Sequence, residues 1–155
     1  MFTMHFKIIK DEVSSTLSEL LRRMGNLSPV MKNIGETVLT SIRKNFEMGG
    51  RPQKWAGLKE STIKQRIRQG HWPGNILVRH GVSGGLLGSL SYRAHPDKVV
   101  MSANKVYAGI HHFGGQAGRG GKANIPSRPF MLVQDEDWGE IKRLAGEYLL
   151  KTGRG

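Results

Sequence analysis

The stretch SPVMKNIGETVLTSIRKNFEMGG, from Ser28 to Gly50, decides what the rest of the chain packs against. Its apolar residues Met31, Ile34, Val38, Ile42 and Phe46 recur every three or four positions, the spacing of one helical face. Ser28-Pro29 reads as an N-cap followed by a first helical residue, where proline's fixed φ fits and its missing N–H is not needed. Gly49-Gly50 supplies the stop. Upstream, Asp11 caps a shorter expected helix with Val13, Leu17, Leu20, Leu21 and Met24 as apolar positions and Gly25 as its end. Downstream, Glu60 to Gln69 reads as a short basic helix, broken by the run from Gly70 to Gly74 that holds His71, Trp72 and Pro73.

Two strands are expected at Ser91–His95 and Lys98–Ala103, joined by the turn pair Pro96-Asp97. The imperfect alternation of Val99-Val100-Met101-Ser102 predicts partial cover on both faces. Phe130–Val133 is a third strand candidate. A last helix begins near Asp135 and turns Trp138, Ile141, Ala145, Tyr148 and Leu149 to one side, and Lys151–Gly155 frays. The 155 residues are read as one α+β domain, with a small antiparallel sheet of about three to four strands flanked by helices.

Two motifs stand apart from that scaffold. In Tyr107-Ala108-Gly109-Ile110-His111-His112-Phe113-Gly114-Gly115, Val106, Ile110 and Phe113 form one stripe of a short helix that Gly114 can end. In Ile125-Pro126-Ser127-Arg128-Pro129-Phe130, each proline pushes the residue before it toward an extended conformation, which aims Arg128 and Phe130 in set directions. Between them, Gly114, Gly115, Gly118, Gly120 and Gly121 make a long glycine-rich loop. Residues 114–124 are expected to be a mobile arm carrying Arg119 and Lys122. Helix, arm and stiff strip suit docking rather than catalysis.

Charge placement is more telling than the net +12. Between Ser61 and Gln134 one acid, Asp97, stands against ten bases, a local balance of +9, whereas Asp135, Glu136, Asp137 and Glu140 cluster just beyond. A basic middle and an acidic segment in one chain suit head-to-tail pairing of copies; acids also favour the first turn of a helix, which is the blander explanation. There is no cysteine, so disulfide and thiolate chemistry are excluded. Residues Met1–Glu12 lack the apolar run of a signal peptide, and nothing in the chain approaches the roughly 18 apolar residues of a membrane helix.

Catalytic readings fare poorly. His111 and His112 are adjacent, so on a helix they diverge by about 100° and cannot chelate together. The ring of His111 is expected beside Tyr107, with its polar tip at an interface. A phosphate loop ending at Lys122 would need glycine at 116 and a hydroxyl residue at 123, where Gln116 and Ala123 stand. Metal-dependent phosphodiester hydrolysis needs clustered carboxylates, which the middle of the chain lacks. Neither enzyme, metal nor cofactor is therefore expected. Trp55 and Trp72 read as anchors under their loops rather than stacking platforms for bases. Arg128 reads as a partner for a neighbouring subunit's carboxylate or as cover for an aromatic face, and its restraining prolines favour the former.

The same motifs resemble a known family. A Tyr-Ala, Ile-His, Phe-Gly-Gly block followed by Ile-Pro-x-Arg-Pro-Phe is similar to the bacteriophage virion morphogenesis proteins of the Mu-type tail completion group. Gly50-Arg51-Pro52 with Trp55 and Leu58, and Ile76-Leu77-Val78-Arg79 with Gly81, Leu86 and Ser89, occur in the family's order, although the family has a shorter step between Gly81 and Leu86. The resemblance implies a structural virion protein acting in tail completion or termination and in head–tail joining. It implies a homo-oligomeric ring of six copies that contacts the tail tube protein and the neck or connector proteins. Non-specific DNA contact in a basic lumen is consistent with the charge. The implied location is the virion tail or neck, after assembly in the host cytoplasm. Expected interface residues are Arg51, Trp55, Tyr107, His111, Phe113, Arg119, Lys122, Arg128, Phe130, Asp135, Glu136 and Asp137. A non-catalytic basic nucleic-acid-binding protein is the alternative reading.

Overall fold

The computed structural model describes residues 12–151, and its central element is helix α2 (Ser28–Met48). Val30, Ile34, Val38, Leu39, Ile42 and Phe46 are buried along it. The helix starts one residue earlier than its sequence suggests. Asn26, not Ser28, satisfies the entry, its Oδ1 accepting from the Ser28 N–H at 3.1 Å. At the other end Gly49 is left-handed, with φ 66°, and the Gly50 N–H donates to Asn45 O at 2.8 Å. Gly50 has φ 109°, and a Cβ there would stand 2.6 Å from Gln53 O, so the chain doubles back too tightly for any side chain.

One side of α2 is covered by a hairpin of β1 (Leu90–Ala94) and β2 (Val99–Ala103), antiparallel, with Leu90 opposite Ala103, Tyr92 opposite Met101 and Ala94 opposite Val99. The Pro96-Asp97 turn is as expected, and Leu27 N–H donates to Pro96 O at 3.2 Å. Alternation is cleaner than the sequence suggested. The Leu90, Tyr92, Val99 and Met101 side turns to α2, while Ser91, Arg93, Val100 and Ser102 are exposed. Close approach depends on Gly35, where a Cβ would lie 2.3 Å from the Tyr92 ring.

The other side of α2 packs on α5 (Asp135–Leu150) through Ile141, Leu144 and Tyr148. Trp138, expected on that inner side, is exposed instead. Helix α1 (Glu12–Gly25) lies against α5, where Arg23 Nη1 donates to Tyr148 O at 2.7 Å. Leu21 and Met24, expected inside, are exposed, since periodicity cannot say how much of an apolar stripe finds cover. Asp11, the side chains of Val13 and Leu17, and the tail beyond Lys151 lie outside the described residues.

Phe130–Val133 is not a strand. Side chains take the place of a neighbouring strand there: Phe130 O accepts from Asn45 Nδ2 at 2.9 Å, and the Phe130 and Met131 N–H groups point to His112 Nδ1 at 3.3 and 3.4 Å. The second strand pair forms within the glycine-rich segment, as a hairpin of β3 (Gly115–Ala117) and β4 (Ala123–Ile125) closed by a 3₁₀ turn at Arg119–Gly121. The chain is α+β, and its described residues form two separate two-stranded sheets in place of one sheet of three or four strands.

Candidate functional site

The two quoted motifs fold into one unit. Helix α4 (Ala108–Phe113) ends at Gly114, whose φ is 77° and where a Cβ would meet Ser127 N at 2.7 Å. The 125–130 strip can therefore lie flat on the helix end. Arg128 N–H donates to His111 O and Ser127 Oγ to His112 O, both at 2.8 Å. Phe130 then enters an aromatic cluster, 5.4 Å from Phe46, which in turn meets Trp55 edge-on at 5.6 Å. The Trp55 indole N–H reaches Pro129 O at 3.2 Å, the anchor role expected of it. The other face of α4 is bare: Val106, Tyr107 and Phe113 are exposed.

A second polar centre joins α2 to the start of α5. Asn45, fully buried, accepts from Arg51 Nε at 2.9 Å through its Oδ1. Arg51 also pairs with Glu136 at 2.5 Å and donates to Ser41 O at 2.8 Å. Ser41 Oγ donates to Asp137 Oδ2 at 2.6 Å, and the same carboxylate accepts from Gln134 N–H at 2.7 Å, which caps α5. Beside this centre a groove of about 410 Å³ runs between α2 and α5, lined by Glu36, Thr37, Thr40, Lys44, Glu136 and Glu140 among others.

A cleft of about 720 Å³ lies between α3 (Glu60–Arg68), the loop through Leu77 and Arg79, α4 and β4. Lys59, Arg66, Arg79, Lys122 and Arg128 line it together with His80 and His111, and among the described residues no carboxylate does. Leu58, Leu77, Leu86 and Ile125 supply its apolar wall. Leu77 is held at φ 65°, the left-handed region that a leucine rarely adopts. Arg66 and Arg128 are only 8% and 5% exposed. Arg66 Nη1 donates to Asn75 O and Val78 O at 2.9 and 3.2 Å, and Arg128 donates to Ala56 O and Gly57 O, both at 3.0 Å. These bonds satisfy hydrogen-bonding groups without neutralising either charge. Burial pushes both guanidinium groups down from their ordinary pKa, with Arg79 adding to the effect on Arg66 and Arg66 to that on Arg128. Burial, then the charge of Arg128, lowers His111, whose Nδ1 is enclosed without a hydrogen-bond partner.

The residues singled out from sequence thus divide. Trp55, Arg128, Phe130 and Asp137 are interior and hold the chain to itself. Arg128 reaches backbone carbonyls of its own chain in the place foreseen for a neighbour's carboxylate. Arg51 and Glu136 are engaged with each other. His111 packs edge-on to Tyr107 at 5.8 Å, as expected. Tyr107, Phe113, Arg119, Lys122 and Asp135 reach solvent. Sequence reasoning missed Gly35, Ser41, Asn45, Arg66 and Gln134. Ser41 and Asn45 carried a signal, since each follows a buried apolar residue of α2, Val38 or Ile42, by three positions; the others carried none.

Comparison with known proteins gives the following. The model of the phage virion morphogenesis family matches residues 9–150. The chain is 35% identical over 130 residues to the Mu-like prophage FluMu G protein 2 of Haemophilus influenzae, covering 84% of this chain and 83% of that protein. It is 31% identical over 108 residues to the "Putative capsid assembly protein G" of Escherichia phage Mu, covering 67% of each chain. No solved structure matches.

Proposed function

The chain belongs to the phage virion morphogenesis family, and from that premise we propose that it completes the tail as a ring of identical copies joining tail to head. The family makes it a structural protein of phage virion assembly. The observation that carries the ring is a complementary pair of surfaces on one chain. The β3–β4 hairpin is a convex basic element, with Arg119 and Lys122 exposed and, among the described residues, in no ion pair. The α2–α5 groove is concave, with Glu36, Glu136 and Glu140 in its walls. A hairpin of one copy seated in the groove of the next makes a heterologous contact, which closes into a ring where the rotation between copies closes. Six copies are the expected number. Val106, Tyr107 and Phe113 add exposed apolar area for the tail tube or the neck and connector proteins. Basic residues facing the lumen would attract passing DNA without sequence preference.

Charge exchange tests the contact. Arg119→Glu should shift the protein from oligomer to monomer in sedimentation, and adding Glu140→Arg should restore the oligomer. Unchanged association of Arg119→Glu refutes the hairpin–groove contact. A role in head assembly is the second reading, favoured by the name of the phage Mu relative, a putative capsid assembly protein. Particles separated into heads and tails decide between them: tail completion requires the protein in the tail fraction, and its restriction to heads overturns that reading.

A further inference from the structure

We propose that the basic cleft between α3 and α4 is a receptor for an acidic, partly apolar peptide segment of a different virion protein. Arg66 and Arg128, both more than nine-tenths buried, bring two positive charges to this cleft, and no carboxylate among the described residues lines it. Among the described residues, Arg66 Nε and Nη2 and Arg128 Nη1 have no acceptor. The ring of His111 lines the same space. Burying charge without a counter-charge is costly, and a carboxylate entering between two guanidinium groups relieves that cost through charge-assisted hydrogen bonds. Lys59, Arg79 and Lys122 at the rim would steer it in.

The walls choose the class of partner. Leu58, Leu77, Leu86 and Ile125 offer contact for aliphatic side chains between the acids. Arg66 and Arg128 are 8% and 5% exposed as whole residues, which suits a narrow carboxylate side chain better than the wide backbone of a DNA duplex. A second copy of this chain is a poor occupant. Glu36, Glu136, Asp137 and Glu140 of α2 and α5 line a groove, and one concave surface cannot enter another. Asp97, on the convex turn of the β1–β2 hairpin, is flanked by Lys98. Met1–Lys10 and the residues after Lys151 carry bases and no acid.

The test measures fluorescence anisotropy of a labelled short peptide of alternating glutamate and leucine against the full chain. Lys59→Glu combined with Arg79→Glu, both at exposed rim positions, should weaken binding by about tenfold or more. Arg93→Glu combined with Lys98→Glu, on the β1–β2 hairpin, should leave it unchanged, and a peptide with glutamine for glutamate should not bind. The milder Lys59→Gln with Arg79→Gln stands in if the reversed variant melts early. The proposal is overturned if the peptide fails to bind, if the hairpin variant loses binding equally, or if a short DNA duplex displaces the peptide from the cleft. It is also overturned if the cleft variant changes the oligomeric state, which would make a second copy the occupant. The ring reading fails separately, through Arg119→Glu, which does not line this cleft.

Discussion

Asn45→Ala removes the side chain on which three elements converge. The amide donates to Phe130 O at 2.9 Å and accepts from Arg51 Nε at 2.9 Å, with a weaker approach from Gln134 Nε2 at 3.4 Å. Alanine leaves the carbonyl of a buried residue unpaired, at a cost of about 1–3 kcal/mol, and removes a bond to a charged donor worth about 1.5–3 kcal/mol. The better helix propensity of alanine offsets about 0.5 kcal/mol. The net loss is about 3 kcal/mol, which for a domain of this size lowers Tm by roughly 6–12 °C. Calorimetric or circular-dichroism melts of the two proteins measure it. Because Arg51 shares one of these bonds, Arg51→Ala in the Asn45→Ala background should cost less than it does alone. A Tm drop below about 2 °C, or strict additivity with Arg51→Ala, would refute the view that this junction is a coupled unit.

Gly35→Ala sets a Cβ 2.3 Å from the Tyr92 ring, whose hydroxyl is tied to Glu36 Oε1 at 2.9 Å. Overpacking of about 1–3 kcal/mol should exceed the roughly 1 kcal/mol gained in helix propensity, so a raised Tm would contradict this packing. Burial lowers the pKa of His112, and burial with the charge of Arg128 lowers that of His111, so the unfolded chain binds protons first. Stability should fall as pH drops below about 6.5 and level off below the folded-state values. Glu19, held down to about 2 by Arg22 and then Arg23, and Glu140, lowered by Arg143, lose their pairings only at more acid pH. In the double variant His111→Asn, His112→Asn the decline between pH 7.5 and 5.5 should flatten, and an unchanged profile rules this origin out. For the glycine-rich hairpin, ordering costs roughly 1–2 kcal/mol per residue in backbone entropy. Protease should therefore cut near Arg119 or Lys122 in the free subunit and spare assembled particles, and equal protection in both would remove the mobile-arm expectation.

The amino-acid sequence alone determined the parts whose cause is local. The α2 positions Ile34, Val38, Ile42 and Phe46, the glycine stop, the Pro96-Asp97 turn and the end of α4 at Gly114 follow from periodicity and backbone preference over a few residues, whereas Val30, not Met31, is the buried residue at the start of the stripe. The absence of acids from Ser61 to Gln134 apart from Asp97 is likewise plain in the sequence. Tertiary structure decided everything that depends on who meets whom. Asn45 and Phe130 are 85 residues apart, and their hydrogen bond takes the place of a third strand. Arg128 looked like a surface contact because its flanking prolines fix its direction; only the fold puts Ala56 and Gly57 in that direction. The apolar residues of α1 satisfy the helical period equally well inside or outside, and Leu21 and Met24 ended outside. Periodicity records that a face exists. Whether another part of the chain covers it is settled by packing between distant segments, which local sequence does not encode.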